Sequence, residues 1–594
     1  MHKRRISLIL VVLSFLALNV FVQAQDVACD TPLEIWQIQG QTDIPHCLDE
    51  RVTVAESVIT AIGPQGFFIQ SAPDGDELTS DGVYVFTLRP PVGWDLEVGQ
   101  NIIVEGYVRE EYNFTRIEVT GSSGLNVVSE DNPLPDPIDL AGVSTEYLSD
   151  GTHPMERYEG MRVVLHNAVV TAPTNQFAEF GVTVTGERSF REAGFESDAM
   201  PELLDMDLPE WDLNPELLEV DPLELGRDLA FLTPGMVVTI NGNIGYSYLD
   251  YQIWSTELDY EETEFVTRPV RAPQEGEFTI ATQNLENLFD VTDDPDRDDA
   301  TFEDYVPVDA AVYAIRLRKA SEQVRVQLDA PDIVALQEIE NTRVVADLIH
   351  QIQIDDPSLT YYGCLLEGND GRGIDNAYLV RVDRVTVYDC YSMPGSFAEP
   401  FQFGGRLYGR PPLVLEVDLL LDDGEVYPLT LVNVHIKSLS GIETNETQLL
   451  RYQQATGIAS FLQSLFDENE DSHIVVLGDF NAFQFSDAIV DVVGIISGQA
   501  QEGEALLSPE EDTLEPDLIN QIFRLPEEER YSYIYNSTLQ ILDHILTSPA
   551  VDTVITDVQY SRGNADGLPI LWYFEDNGAQ GVSDHDGLVI YLEP

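Results

Sequence analysis

The run HIVVLGDFN at residues 473–481 decides how the larger half of this chain folds. Ile474 to Leu477 are apolar without a break, the pattern of a strand covered on both faces, and the run stops at Asp479 and Asn481. FTIATQN at 278–284 and DIVALQE at 332–338 repeat the design, ending at Asn284 and Glu338. A polar residue at the carboxyl end of such a strand lies at the sheet rim, where a ligand reaches it. The apolar periods predict amphipathic helices over 312–328 and 446–466, so residues 277–594 read as an α/β domain of packed layers. NVHIKS at 433–438 and SDHD at 583–586 add imidazoles. Carboxylates to hold an ion, amides to orient anionic oxygens and an imidazole to move a proton are what metal-assisted phosphodiester hydrolysis requires.

The 594 residues carry 105 acidic against 30 basic side chains, a net charge of -75, with 43% hydrophobic residues. That much apolar content supports several cores and excludes a disordered tail. The charge excludes a broad basic nucleic-acid surface, so a polyanionic substrate needs divalent ions and a local set of Arg and Lys to offset repulsion. The first 25 residues, MHKRRISLILVVLSFLALNVFVQAQ, have a basic start, a short apolar stretch and small residues to Ala24. This is the layout of a cleaved export signal over 1–24, leaving no membrane span in the mature chain and predicting a secreted, monomeric protein. An oxidising compartment suits two disulfides, Cys29 with Cys47 and Cys364 with Cys390; the other two connectivities tie the chain's start to its last domain.

Upstream, two stretches share spacing rather than identity. Val52 to Thr60 matches Val163 to Thr171, and Leu96 to Gly106 matches Leu232 to Gly242. The offset between copies grows from 111 to 136 residues, so the second copy holds about 25 more. They are expected between Glu187 and Asp228, where acid- and proline-rich sequence without a period reads as a long acidic loop. Domains follow at 30–130 and 131–262, each of short strands with glycine turns, then a linker at 263–276.

From Phe278 onward, ATQNLENLF, VALQEIE, NAYLVRVDRV, GRPPLVLEV, LVNVHIKS, VLGDFNAF, LDHILTS and VSDHDGLVI resemble, in order, the endonuclease/exonuclease/phosphatase superfamily. QNLENLFD, QEIEN, HIKS and SDHD look closest to secreted multidomain bacterial nucleases. GFFIQ, the TSDG turn and VGQNIIVEGYV in the first copy resemble the oligonucleotide-binding-fold (OB-fold) domains that precede such catalytic domains. The implied architecture is two all-β OB-fold-like domains before an α/β four-layer sandwich of the deoxyribonuclease-I type. Phe67, Phe68, Tyr107, Tyr112 and Arg116 are candidate single-strand contacts, though core and hairpin roles explain them more simply.

The resemblance implies that Glu338 is the principal metal ligand, with Asn284 and Asp584 beside it. Asp479 activates water or binds a second cation, and the Asn481 amide donates to phosphate. Asp479 and Asn481 share one face if the strand stays extended. Asp543 holds one nitrogen of His585, and His435 sits across the scissile phosphate. Arg410 contacts phosphate, while Asp375 and Asn376 orient His435 or touch substrate. Two departures stand out, Glu340 where an Arg can occur and Gly587 where Pro is frequent. VTDDPDRDDATFED at 291–304 reads as a solvated acidic loop rather than a calcium site. The expected activity is hydrolysis of DNA, with RNA as a second substrate, using Mg2+ or Mn2+ alongside structural Ca2+. The alternatives are a phosphatase or phosphodiesterase acting on nucleotides, lipids or sugar phosphates, or a non-enzymatic binding protein.

Overall fold

A computed structural model describes residues 28–594 apart from 92, 146, 148–151, 197–198, 248–249, 264, 293–309, 502, 510–513 and 569–580. The leader and most of the 291–304 loop lie outside the described residues.

The first sheet contains β1 (Arg51–Ile62), β2 (Gly66–Gln70), β3 (Gly82–Thr87), β4 (Asn101–Glu111) and β5 (Phe114–Val119). They run in the order β1-β2-β3-β5-β4, and β4 pairs back to β1, closing a barrel whose β3–β5 pair is parallel. The next five strands are β6 (Arg162–Ala172), β7 (Phe180–Thr183), β8 (Leu217–Asp221), β9 (Val237–Ser247) and β10 (Asp250–Tyr260). They close in the same order, with β8–β10 parallel. The repeated glycines fall on β4 and β9, where the neighbouring strand crosses closely: a Cβ at Gly106 would meet Ile117 Cγ2 at 2.5 Å, and one at Gly242 would meet Trp254 O at 2.6 Å. Each barrel has its own apolar interior. Phe67 and Phe68 are fully buried and act as core residues, Phe68 in an aromatic cluster with Tyr84, Phe114 and Trp254 between the barrels. Tyr107 and Tyr112 are exposed, and Arg116 stacks on the Phe86 ring at 4.2 Å.

Where it is described, the region expected as an acidic loop contains a strand and buried apolar residues. Leu217–Asp221 is the third strand of the second barrel, so the insertion is 184–216. Phe195, Met200 and Leu203 are buried in the same cluster as Ile458 and Leu462 of the C-terminal half. Their spacing matches neither strand nor helix, which is why no period betrayed them. The expected linker at 263–276 is likewise a packed strap. Val270 is buried and its N–H donates to Gln327 O at 2.9 Å, while Arg271 pairs with both Glu277 and Asp557.

The C-terminal half comprises β11 (Phe278–Leu288), α1 (Ala310–Glu322), β12 (Ile333–Ile339), α2 (Thr342–Asp355), β13 (Tyr361–Leu365), β14 (Asp375–Arg381), β15 (Val385–Ser392), β16 (Leu413–Leu420), β17 (Val426–His435), α3 (Asn445–Glu468), β18 (Ile474–Asp479), β19 (Asp543–Thr547), β20 (Ile555–Tyr560) and β21 (Leu588–Leu592). One sheet runs β13-β14-β12-β11-β21-β20; the other runs β15-β16-β17-β18-β19 and ends on Ile519–Asn520. Alternation along single strands shows four layers. Ile333 and Ala335 join the cluster between the sheets, whereas Val334 and Leu336 face α1 and α2. Val475 and Leu477 point inward, and Ile474 and Val476 lie beneath α3. Both faces of these strands are dry, so each needs apolar residues at every position. The pairs β11–β12 and β17–β18 are parallel, and their carboxyl ends meet at one rim.

Both disulfides form as expected, and Cys364 on edge strand β13 to Cys390 on edge strand β15 laces the two sheets together. Closing a loop of 26 residues restricts the unfolded chain by about 3–4 kcal/mol. Replacing both cysteines by Ala should lower the unfolding free energy from denaturant titration by that amount, whereas an unmoved midpoint would show that sheet packing alone holds the edge.

Candidate active site

The rim residues protrude because both sheets break their pleat there. Between Asn284–Gln337 and Leu288–Ile339 the β11–β12 register slips, so three residues of β11 face one of β12. Glu286, Asn287 and Glu338 take positive φ values of 44°, 48° and 64°, conformations that non-glycine residues adopt only when their surroundings enforce them. Arg316 of α1 supplies that enforcement, donating to the carbonyls of Leu285, Glu286 and Asn287. The bulge aims Glu286 and Glu338 at the rim.

On the second sheet Gly478 has φ +139°, and a Cβ there would lie 2.0 Å from Val434 O. Only glycine lets β18 approach β17 this closely beside Asp479. The chain then turns instead of staying extended: Asn481 has φ +46° and its N–H donates to Asp479 Oδ1 at 2.8 Å. A side-chain turn, not strand alternation, therefore couples the two residues.

Across the sheet junction Asn284 Nδ2 donates to Asp479 Oδ2 at 3.0 Å. His435 Nε2 lies 3.5 Å from Asp479 Oδ2 and 3.7 Å from Glu338 Oε1. His585 Nε2 is 4.0 Å from Asp479 Oδ2 and 3.8 Å from Asp584 Oδ1, and its Nδ1 is 2.7 Å from Asp543 Oδ2. Asp543 Oδ2 also accepts from Ser532 Oγ at 2.7 Å. Beneath this rim Gln337 Nε2 donates to Asn433 Oδ1 at 2.7 Å, and Asn433 donates to Leu336 O and Ala377 O. Buried amides satisfied in this way fix the sheet-to-sheet distance.

Arg410, Asp375 and Asn376, expected at the substrate or behind His435, are each anchored within the protein. The Arg410 guanidinium donates to His435 O, Ile436 O and Asp370 Oδ2, so it fastens the segment behind His435. Asn376 Nδ2 reaches Pro411 O and Asn433 O, and Asp375 Oδ1 accepts from Gly368 N. His435 Nδ1 is buried and has no hydrogen-bond partner among the described residues. Asn481 Nδ2 donates to Ile436 O at 3.2 Å. Glu340 accepts from Asp290 N, and a Cβ at Gly587 would meet Gln283 Oε1 at 2.5 Å, which accounts for glycine there.

Two residues escaped the sequence reading. Arg372 reaches Glu338 Oε1 at 3.9 Å and donates to Asn287 Oδ1 at 3.1 Å, a guanidinium at the edge where Glu340 offers none. Glu286 stands two residues after Asn284, a spacing that would have flagged it, and its Oε2 is buried without a partner among the described residues.

The charges are segregated. Burial pushes Glu286 well above the usual carboxylate range, Asp584 and Glu338 adding to the rise and Arg316 opposing it. Asp584 rises through burial and Glu338, with His585 opposing. Burial also raises Asp479, to about 7, against the attraction of His585. Burial alone would lower His585, but Asp543, Asp584 and Asp479 lift it well above the ordinary imidazole value. His435 moves the other way through burial, Arg410 and Arg372. Lys437 is lowered to about 8 by burial and by Arg410, Arg451 and Arg372.

Clustered acids with an orphaned carboxylate oxygen are the donor set of a hard divalent cation. Asp479, Asp543 and His585 offer ligand atoms within 4.8 Å of one another and could hold an ion. However, His585 Nδ1 and Asp543 Oδ2 are already engaged with each other. Glu338 and Asp584 bring further carboxylates to the same rim, beside His435 and His585.

Comparison with known families matches residues 279–593 to the Endonuclease/Exonuclease/phosphatase family and 143–264 to a domain of unknown function. Curated proteins give no match. Solved structures with similarity include humanized D. rerio TDP2, at 16% identity over 54% of this chain and 100% of that one, TM-score 0.33. An endonuclease/exonuclease/phosphatase from Bacteroides vulgatus shows 16% identity over 53% and 98%, TM-score 0.32. The human Nocturnin catalytic domain shows 12% over 54% and 93%, TM-score 0.33.

Gly478→Ala should cost about 2–5 kcal/mol, because strain and overpacking act together at a site with no room to relax. Thermal unfolding reads this loss; a wild-type midpoint would mean that β18 can slide away from Val434.

Proposed function

The chain belongs to the endonuclease/exonuclease/phosphatase family, and from that membership we propose that it is an exported, metal-dependent nuclease that cleaves phosphodiester bonds of DNA by in-line attack of water. One observation carries the reading: Asp479 receives Asn284 from the opposite sheet and lies between two imidazoles with opposite shifts, His435 and His585. Paired groups pushed apart in pKa divide acid from base work.

Glu338, Glu286, Asn284 and Asp584 would hold Mg2+ or Mn2+. A bound divalent ion would polarise the phosphate and offset the charge that grows on its oxygens. Asp479, lifted by burial to about 7, is poised to take the proton from water near neutral pH. His585, kept protonated by Asp543, faces the phosphate through Nε2 and either donates to the leaving oxygen or stabilises its charge. Asn481 and Arg372 orient phosphate oxygens, while Arg410 positions His435 through its backbone carbonyl.

Arg410, Arg451 and Arg372 all act on Lys437 through space in a chain of net charge -75. Such crowding of cations favours an anionic ligand between them. The same overall charge favours a second reading, a smaller phosphodiester such as a nucleotide, which meets less of the acidic surface. Barrel order 1-2-3-5-4 with a parallel pair between the third and fifth strands supports OB-like domains. In the first barrel Phe86, Tyr112 and Arg116 line a cavity of about 630 Å³, suited to an unstacked base. The basic, apolar leader and the two disulfides support export.

Purified protein should nick plasmid DNA with Mg2+ or Mn2+ and not with chelator. If bis-p-nitrophenyl phosphate is cleaved and DNA is not, the second reading replaces the first. Glu338→Gln should weaken divalent-cation binding measured by calorimetry about tenfold or more, whereas His585→Ala should lose turnover by roughly 100-fold or more with cation affinity retained. Equal cation dependence in both variants would contradict this division of roles. Since His585 acts as imidazolium with a raised pKa, activity should persist through neutrality and fall on the alkaline side, above the ordinary imidazole value. Loss of that alkaline limb in Asp543→Asn would tie it to the pair; an identical limb in both proteins would assign it elsewhere.

A further inference from the structure

We propose that Arg188, carried by the second barrel, is a positioning residue for the Asp543–His585 pair, so that the insertion at 184–216 is a working part of the active site. The inference rests on the catalytic reading of His585 and extends it to a domain that contains none of the reacting groups.

Arg188 leaves the second barrel just after β7. Its Nε donates to Thr171 O on β6 at 2.9 Å, which anchors the side chain to the barrel wall. The two remaining nitrogens cross to the C-terminal half. Nη1 donates to Tyr531 Oη at 3.0 Å and Nη2 to Asp566 Oδ1 at 2.6 Å, while Tyr531 Oη donates to Asp566 Oδ2 at 2.8 Å. Three groups thus close a ring of hydrogen bonds around one guanidinium, which is 4.7 Å from the Tyr531 ring centroid.

Tyr531 precedes Ser532, the residue on which Asp543 depends. Ser532 Oγ donates to Asp543 Oδ2 at 2.7 Å, the oxygen that also faces His585 Nδ1 at 2.7 Å. Ser532 O accepts from Asp586 N at 2.8 Å, one residue beyond His585. Arg562 joins the same two strands by donating to Tyr531 O and Asp586 Oδ2. Hence a displacement of Tyr531 moves both Asp543's partner and the backbone beside His585.

The insertion repeats the attachment along the hairpin that follows. Arg191 N donates to Leu539 O and Leu539 N to Ser189 O, each at 2.9 Å, and Asn214 Nδ2 reaches Thr538 Oγ1 at 3.3 Å. Tyr533, in that hairpin, places its ring 4.9 Å from the His585 ring. An insertion that served only as a spacer would not need a half-buried guanidinium aimed at the residue next to the serine that holds Asp543.

The test uses the full chain and bis-p-nitrophenyl phosphate with Mg2+. Arg188→Gln and Tyr531→Phe should each lower kcat about tenfold or more, with KM within about twofold, because a shifted acid–base pair slows the chemical step and leaves binding alone. Arg188→Lys should recover part of the loss, since an ammonium can meet Tyr531 or Asp566 but not both in a fork. Leu203→Ala, in the same insertion but remote from the ring, should lower the Tm at least as far and keep kcat. Wild-type kcat in folded Arg188→Gln, or a fall no greater than that of Leu203→Ala, overturns the inference. Should Arg188→Gln not fold, Tyr531→Phe decides by the same criterion. A wild-type protein that hydrolyses neither this substrate nor DNA removes the functional reading, and the positioning role with it; an active wild type beside an unimpaired variant removes the positioning role alone.

Discussion

The hydrogen bond from Asn284 to Asp479 joins two sheets that share no strand, and the rest of the site depends on that meeting. It forms because two parallel strand pairs, one per sheet, end at the same rim with their faces packed on a common apolar cluster. Sheet packing sets the separation, and the Gln337–Asn433 amide pair below the rim fixes it within hydrogen-bonding tolerance. Residues nearly 200 positions apart in the chain therefore face each other without any local element linking them.

Burial then supplies the chemistry. Each acid at the rim would be an ordinary carboxylate in water. Here the dry surroundings and the neighbouring acids raise Glu286, Asp479 and Asp584, while Asp543, Asp584 and Asp479 lift His585 against its burial. Burial lowers His435, and the guanidinium groups gathered behind it in a protein of large negative charge lower it further. Two histidines thus shift in opposite directions through what surrounds them, not through their own chemistry.

Much of the layering was legible in the chain because strands buried on both faces must be apolar at every position, as in Ile474 to Leu477 and Ile333 to Leu336. The helices over 310–322 and 445–468 were legible through their period, and the barrel repeat through Gly106 and Gly242. What escaped the reading lies where the backbone leaves regular geometry. Glu286 reaches the rim through a bulge with positive φ, and Asn481 is placed by a turn although alternation would have put it on a strand face. Arg372 comes from a loop, and its contacts with Glu338 and Asn287 are long-range. The insertion carries its buried residues at irregular intervals, so its acids dominated the reading and Phe195, Met200 and Leu203 passed unnoticed.

The central claim is that these separated side chains converge on a single divalent ion at the sheet rim. Anomalous scattering from a crystal of the protein soaked in Mn2+ measures this directly. The account predicts one strong peak in contact with Glu338 and bounded by Glu286, Asn284 and Asp584. A peak only between Asp543 and His585, or no peak at the rim with the protein saturated in manganese, would contradict it.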